Sequence, residues 1–174
     1  MASEILVKTG TTITWKASGG DYAITLGDPG IATDAARQGA KGDLTTPRGG
    51  RWLCRLTVNM DAAPTAGDTI EVFWAGSPSV TAGTSNPGAT TGTDAAYTGS
   101  TGGSVDQTKQ QLTYIGALTL TPDADGVVQV ADIGVLVPYY QYGMPVLVNK
   151  ADEAMEGDDD SHMIEFIELI PESQ

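Results

Sequence analysis

The segment RWLCRLTVNM, residues 51–60, decides the fold class of this chain. Every second position carries a side chain suited to a protein interior: Trp52, Cys54, Leu56 and Val58. The positions between them include charged and polar side chains, among them Arg51, Arg55 and Thr57. Successive side chains of an extended chain point to opposite sides, so this alternation is typical of a strand with one buried face. The segment is therefore predicted to be a β-strand that lies on a hydrophobic core.

The same alternation recurs along the whole chain. It occurs in TTITWKA (11–17), DYAITLG (21–27), TIEVFWAG (69–76) and LTYIGALTL (112–120), and later in GVVQVADIGVLVP (126–138), MPVLVNK (144–150) and HMIEFIELI (162–170). Turns rich in glycine, proline and aspartate separate these runs. The segment TPDADGVVQV (121–130) is typical of a hairpin, with Asp125-Gly126 at the turn. The only helical pattern is short and lies in IATDAARQGA (31–40).

Strands of this number and spacing predict one domain over residues 1–174. The expected fold is all-β: an antiparallel β-sandwich, jelly-roll-like, with two long loops and little helix. The two loops are the basic loop, residues 27–50, and a Gly/Ser/Thr-rich segment, residues 77–111, which we call the arm. Alternation places six large side chains in the predicted core: Trp52, Leu56, Val72, Trp74, Leu118 and Val146.

The charge of the chain limits the partners that it can attract. The formal net charge is −13 at pH 7, which argues against binding to nucleic acid or to an anionic membrane. No secretory signal is visible, and no apolar run approaches the length of a membrane span. We therefore expect a soluble protein that is made in a reducing cytoplasm. The single cysteine, Cys54, excludes an internal disulfide framework and is expected to be a small buried hydrophobe.

The sequence offers few residues for catalysis. His162 is the only histidine, and neither a nucleophile motif nor a phosphate-binding glycine loop accompanies it. Acidic side chains are concentrated in two turns, residues 122–126 and 156–161, where they are expected in solvent. A catalytic carboxylate pair or a calcium site in these turns stays open as an alternative. No catalytic residue, cofactor-binding residue or metal ligand is assigned, and we expect a protein that is not an enzyme.

The basic loop opposes the charge of the rest of the chain. It carries Arg37, Lys41 and Arg48, whereas residues 112–174 contain Lys150 as their only lysine or arginine. Oppositely charged regions on one small protein favour docking between subunits, and a solvated surface is the alternative. The three cations of the loop are therefore candidate interface residues, expected to face an acidic partner.

The arm has the composition of a flexible linker, because Gly, Ser, Thr and Ala dominate it. Two features exceed what a linker needs: the turn signal Asn86-Pro87-Gly88, and Tyr97, which can anchor a loop through its ring and its hydroxyl. The arm is either an ordered segment that needs a partner surface or a loop that moves in solvent. Asn86 and Tyr97 are its candidate interface residues.

A tyrosine cluster occupies PYYQYGMP (138–145), at Tyr139, Tyr140 and Tyr142. If the cluster is buried, it belongs to the core. If it is exposed, it can form an interface hot spot or stack against sugar rings. These interpretations stay open, and the three tyrosines complete the set of candidate interface residues.

Two stretches resemble a known class of protein. FWAGSPSVTAGTSNPGATTGTDAAYTG (73–99) and QLTYIGALTLTPDADGVVQVADIGVLVPYYQYGMPVLVNKA (111–151) are similar to small tailed-bacteriophage virion proteins of the head-decoration type. The similarity covers about residues 70–150 and consists of the strand order, the arm and a compact acidic sandwich. The resemblance implies a β-rich protein on the outer surface of a capsid, synthesised in the host cytoplasm.

The resemblance also implies a function without catalysis and without a cofactor. Decoration proteins cement neighbouring capsid subunits, often as trimers. The expected partners are the major capsid protein or neighbouring virion subunits, and the expected state is a homo-oligomer, with a trimer implied by the resemblance. A carbohydrate- or receptor-binding β-sandwich module is the alternative function. An enzyme is the third, and it would need a cleft in which His162 meets converging acids.

Overall fold

The computed structural model describes residues 5–27, 29–44, 50–122 and 126–173, and most regular elements of this part are strands. Its ten strands are β1 (Ile5–Trp15), β2 (Ala36–Gln38), β3 (Gly42–Asp43), β4 (Arg51–Val58), β5 (Thr69–Ser77), β6 (Ala95–Ala96), β7 (Thr113–Thr119), β8 (Gln129–Leu136), β9 (Tyr142–Asn149) and β10 (Met163–Ser173). Its helical elements are α1 (Val105–Thr108) and two 3₁₀ turns, Lys109–Gln111 and Asp159–Ser161. None of these helices is long and apolar enough to cross a membrane.

The strands pair in a nested order. β1 pairs with β10, β2 with β9, β4 with β8 and β5 with β7, and every pair is antiparallel. Two sheets result: a four-stranded sheet in the order β1-β10-β4-β8, and a six-stranded sheet in the order β6-β2-β9-β5-β7, with β3 also on β9. Nested antiparallel pairs that are shared between two sheets form a jelly roll. The predicted all-β antiparallel sandwich is therefore confirmed.

The main core lies between the two sheets and contains large aromatic rings. Trp15, Trp74 and Phe166 contact one another, with ring centroids 5.1 to 5.8 Å apart. All six side chains that alternation placed in a core are buried: Trp52, Leu56, Val72, Trp74, Leu118 and Val146. Val146 differs from the other five, because it faces away from the main core, on the opposite side of the six-stranded sheet.

A second buried cluster covers that opposite side. Phe73 and Ala75 of β5 contribute to it together with three side chains of β9: Met144, Val146 and Val148. The arm and the residue after it supply the covering side chains: Tyr97, Val105 and Leu112. A sheet that is buried on both faces has continuous apolar strands in place of alternating ones. The arm therefore lies on its own chain, where it completes a second core.

The helix predicted in residues 31–40 is wrong. This segment contains β2, which pairs with β9 between Val146 and Val148. The helical propensity of a short segment is a weak determinant of structure. Here the backbone groups along the edge of β9 form hydrogen bonds with β2, which a two-turn helix could not make. The α-helix of the described chain lies in the arm, where Ser104 and Gln107 form a capping box at its start.

The hairpin predicted in TPDADGVVQV is also wrong, because β7 and β8 belong to different sheets. Asp125 lies outside the described residues, whereas Gly126 has the positive φ, 81°, that such a turn favours. The two strands cross closely. A Cβ on Gly116 would clash with the Ile133 carbonyl, and a Cβ on Gly134 would clash with the Ile115 carbonyl. These glycines allow the two sheets to meet along one side of the sandwich.

Candidate interaction surface

Lys41 binds the first residues of the arm through hydrogen bonds. Its Nζ lies 2.7–3.1 Å from four oxygen atoms: the Ser77 hydroxyl and the carbonyls of Ser79, Thr81 and Thr84. Burial lowers the pKa of Lys41, since these uncharged acceptors replace only part of the hydration of an ammonium ion. The sequence predicts an interface residue here, and the structure shows its charge already engaged within the chain.

Arg37 fastens the second half of the arm. Its Nε donates a hydrogen bond of 2.7 Å to Oδ1 of Asp94, which also accepts hydrogen bonds from the backbone and hydroxyl of Thr25. Burial alone would raise the pKa of Asp94, but the hydrogen bonds from Arg37 and Thr25 hold it below its usual value. Arg37 is therefore part of an internal ion pair. Arg48, the third predicted cation, lies outside the described residues.

Tyr97 anchors the arm to its own chain. Its side chain is buried, and its hydroxyl donates a hydrogen bond of 2.7 Å to the Gly88 carbonyl. Its backbone N–H donates to the Ala36 carbonyl in β2 at 2.8 Å. Burial raises the pKa of the Tyr97 hydroxyl to about 12. The surface on which the arm packs is thus the six-stranded sheet of the same chain, whereas the sequence left open a partner surface or a loop that moves in solvent.

Asn86 shapes a turn within the arm. Its Nδ2 donates to the carbonyls of Ala82 and Thr90, and the N–H of Thr90 donates to the Pro87 carbonyl. Gly88 adopts a φ of 60°, which a glycine tolerates without strain. The bend predicted at Asn86-Pro87-Gly88 is present. In this conformation Asn86 stabilises the arm internally.

The tyrosine cluster does not belong to the core. Tyr139 is 90% exposed and Tyr140 is 48% exposed, in the connection between β8 and β9. Tyr142 is half-buried in β9, beside Ser77 of β5. The core interpretation is therefore wrong for Tyr139 and Tyr140, whereas contact with a partner or with a carbohydrate remains open to them.

Two hollows share Tyr139 and Tyr140 as walls. The first has a volume of about 170 Å³, and its other walls include Trp74, Gly76 and Pro87. The second has a volume of about 300 Å³ and is completed by Pro78, Gln141 and Tyr142. The indole nitrogen of Trp74 is buried and has no hydrogen-bond partner among the residues that the structure describes. A residue that lines the first hollow thus carries an unused donor, although the nitrogen itself has almost no surface open to the hollow.

Four valines form an exposed row along β8, the outer strand of the four-stranded sheet. We call them the valine row, and each is 47–55% exposed: Val128, Val130, Val135 and Val137. Val130 pairs with Thr57 and Val135 with Leu53, and an irregularity in the register between them keeps both valines on the outer face. Asp132 lies on the same face between Val130 and Val135 and pairs with Arg55 at 2.7 Å, so the row consists of two pairs of valines on either side of an ion pair. Apolar side chains that are exposed in a group mark contacts with other macromolecules.

His162 and Cys54, the histidine and the cysteine of the chain, are both buried. His162 is buried; its Nδ1 accepts a hydrogen bond from the Asn59 N–H, and its Nε2 donates to the Glu156 carbonyl. Burial lowers the pKa of His162 and so favours the neutral ring. Cys54 is fully buried, as predicted, and burial raises the pKa of its thiol to about 12. Both side chains therefore serve the structure.

Within residues 5–27, 29–44, 50–122 and 126–173, no three His, Cys, Asp or Glu side chains converge as a metal site requires. Comparisons with protein-family models, with curated proteins and with solved structures found no match. The contacts and exposures described above therefore carry the functional inference.

Sequence patterns missed two parts of this surface. The valine row was visible in VVQVADIGVLV, but the irregular register after Asp132 shifts the alternation and hides which valines share a face. Trp74 was correctly expected to be buried. Its unpaired nitrogen depends on neighbours from distant segments, which no local pattern reports.

Proposed function

We propose that this chain is a structural protein of a tailed-phage particle, which lies on the capsid and binds neighbouring subunits. The observation that carries the proposal is the valine row, which offers a partner four apolar side chains, each about half exposed. They belong to or directly flank a strand of a closed sandwich, so a partner would meet a surface that needs little ordering.

The fold is compatible with this role. Jelly rolls occur in viral capsid domains and also in lectins, so the fold alone does not decide between functions. The resemblance of residues 70–150 to head-decoration proteins favours the capsid. The partner is then the major capsid protein or another copy of the chain, in a homo-oligomer for which the resemblance implies a trimer.

The proposal assigns docking to the valine row instead of the basic loop. Arg37 and Lys41 already have partners within the chain, and recruiting them to another subunit would break the contacts that hold the arm. The valines have no such internal use, because about half of each side chain is in solvent.

Electron microscopy tests the location. Gold-labelled antibodies against the chain are expected to bind the outer surface of intact tailed particles purified from the source that encodes it. Purified particles that lack the chain, or that carry it only in the tail, would overturn the proposal.

Sedimentation equilibrium tests the surface. Val135→Asp is expected to weaken self-association, or binding to purified capsids, at least tenfold, because it replaces an apolar side chain with a second carboxylate on a face where Arg55 already pairs with Asp132. Val7→Asp is the matched control: Val7 is 62% exposed on β1, at the opposite edge of the same sheet. Equal effects of the two substitutions would show that the row is not the interface.

A further inference from the structure

We propose that the first hollow binds a ring of a neutral sugar, with the Trp74 indole N–H as a buried hydrogen-bond donor and with Tyr139 and Tyr140 as stacking surfaces. This site goes beyond the assembly role and does not depend on it, because the hollow and the valine row share only Val137, and neither Trp74 nor the two tyrosines belongs to the row.

The indole nitrogen of Trp74 is the first observation. A buried indole N–H normally has an acceptor, because a buried polar group without one destabilises the fold. Trp15 follows this rule and donates to the Ala40 carbonyl at 2.8 Å. Trp74 is only 2% exposed, yet its nitrogen lacks a partner within the described chain. An oxygen atom of a ligand would supply the missing acceptor.

The space beside this nitrogen is the second observation. A Cβ on Gly76 would stand 3.5 Å from Nε1 of Trp74 and 3.3 Å from Cδ2 of Tyr140, so the glycine keeps the space between the two rings open. The nitrogen is itself buried, so the proposal requires the half-exposed Tyr140 ring to turn outward before an acceptor can reach it. A cavity of about 150 Å³ holds benzene, so the hollow of about 170 Å³ has room for one six-membered ring.

The chemistry of the walls selects the class of ligand. The described residues that line the two hollows include no charged side chain, so a charged sugar would lose hydration without gaining an ion pair. Apolar faces come from Tyr139, Tyr140 and Pro87, and hydrogen-bonding groups come from Gln111 and Thr113. A neutral sugar ring matches this mixture, because it has apolar C–H faces and hydroxyls that both donate and accept.

The second hollow extends the site to a neighbouring ring. It shares Tyr139 and Tyr140 with the first hollow and adds Tyr142 and Gln141. The Gln141 amide is already held by Asp43, to which its Nε2 donates at 3.1 Å, so this wall is fixed before a ligand arrives. The structure therefore assigns the site to an oligosaccharide of at least two neutral rings, which meet over the two tyrosines.

Nuclear magnetic resonance tests the site through the indole N–H signals. The chain has three tryptophans, hence three indole peaks, and Trp74→Phe identifies the peak of Trp74. Cellobiose, maltose, lactose and chitobiose are added separately to the ¹⁵N-labelled full chain. At least one is expected to shift the Trp74 peak while the peak of Trp15, whose N–H is already bonded, stays in place.

Two further probes decide between ligand classes. Glucuronic acid is expected to leave the Trp74 peak unchanged, since no cation lines the hollows. A decaproline peptide is also expected to leave it unchanged, and a shift with this peptide alone would replace the sugar site with a peptide site. No shift with any of the four disaccharides, up to their solubility limits, would overturn the proposal.

Two variants test the geometry with the sugar that binds. Gly76→Ala fills the space beside the indole nitrogen, and Tyr140→Ala removes a stacking ring; each is expected to weaken binding at least tenfold. Tyr114→Ala is the control, because Tyr114 is 55% exposed on β7 and does not line either hollow. Thermal unfolding confirms that each variant is folded, and unchanged affinity in both Gly76→Ala and Tyr140→Ala would overturn the site.

Discussion

Tyr97 joins two parts of the arm to the sheet below it. Its ring fills the second core, and its hydroxyl satisfies the buried Gly88 carbonyl at the turn of the arm. A buried carbonyl that loses its donor destabilises the fold more than the hydrogen bond contributes in the intact protein. The effect of losing this one oxygen can therefore be measured.

Tyr97→Phe is expected to lower the free energy of unfolding by about 1–3 kcal/mol, the range for a buried acceptor left without a partner. Urea denaturation measures the change. Tyr139→Phe is the matched control: Tyr139 is 90% exposed, so its hydroxyl can exchange protein contacts for water without loss. Equal losses in the two variants would contradict the assigned role of the Tyr97 hydroxyl.

His162 makes stability depend on pH in a predictable direction. Burial lowers the pKa of its ring in the folded protein, whereas the unfolded chain takes up a proton near pH 6.5. Protonation therefore favours unfolding, and the contribution of His162 is complete above about pH 6.5 and declines as the pH falls towards the lowered pKa. The urea midpoint should decrease between about pH 7 and pH 5.

His162→Gln supplies the control for this prediction. The chain has a single histidine, so the variant removes the only side chain with an ordinary pKa in that window. Its urea midpoint is expected to change much less between about pH 7 and pH 5. A variant whose midpoint falls as steeply as that of the native chain would assign the pH dependence to carboxylates.

Burial was the property of single residues that sequence predicted best. Cys54, Trp52 and Leu56 are buried because alternation in a strand is a local property of the chain. The role of Lys41 could not be predicted in the same way. Its nearest acceptors begin at Ser77, 36 residues away, and only the fold brings them together.

At the scale of elements, the arm behaves as part of the sandwich. It contributes Tyr97 and Val105 to the second core, and Lys109, in the 3₁₀ turn that follows α1, pairs with Glu71 of β5 at 2.6 Å. Removing the arm would expose Phe73 and Met144 to water. Deleting the arm is therefore expected to destabilise the six-stranded sheet, whereas deleting a solvated loop would change its stability little.

Lys41→Met is expected to loosen one part of the arm. The substitution keeps much of the side-chain volume but removes the donor that four oxygens of residues 77–84 share. Amide hydrogen exchange should accelerate in residues 77–84 and stay unchanged in β9. Lys8→Met is the control, because Lys8 forms an exposed ion pair with Glu172. Unchanged exchange in residues 77–84 would show that Lys41 does not hold the arm.

The sequence predicts strands correctly where one face of the strand is buried and the other is exposed to solvent. Alternation predicts β4 correctly, whereas β2 has only three residues, too few for alternation to outweigh the helical pattern of residues 31–40. Its identity comes from its pairing with β9. The turn sequence between β7 and β8 predicts a hairpin wrongly, since a turn sequence does not specify whether the next strand stays in the same sheet.

At the scale of the whole molecule, charge opposes the proposed assembly. Each copy carries a formal charge of −13, so copies that meet through the valine row repel one another. Salt screens this repulsion and shortens its range. Self-association is therefore expected to strengthen as salt rises from about 0.05 to 0.5 M. Sedimentation equilibrium over this range measures the effect. Association that weakens with salt would instead indicate an interface between the basic loop and an acidic surface.

The overall fold class followed from the repeated alternation and the turns, because these features limit a chain of this size to two packed sheets. The function could not be derived in the same way. The proposed sugar site depends on Gly76 and on the Trp74 nitrogen, which has no partner among the described residues, and the valine row depends on the register of one strand pair. Such features arise only when segments distant in sequence are brought together.

The nested pairing also determines when the protein can fold during its synthesis. β10 lies between β1 and β4, yet it follows both of them by more than a hundred residues. While the ribosome is still making the intervening chain, β1 and β4 lack their shared neighbour, and their open edges are sites for pairing with other nascent chains. Non-local pairing of this kind is slow. The four-stranded sheet therefore closes only after β10 has emerged, and a chaperone that covers strand edges would act on this protein before that moment.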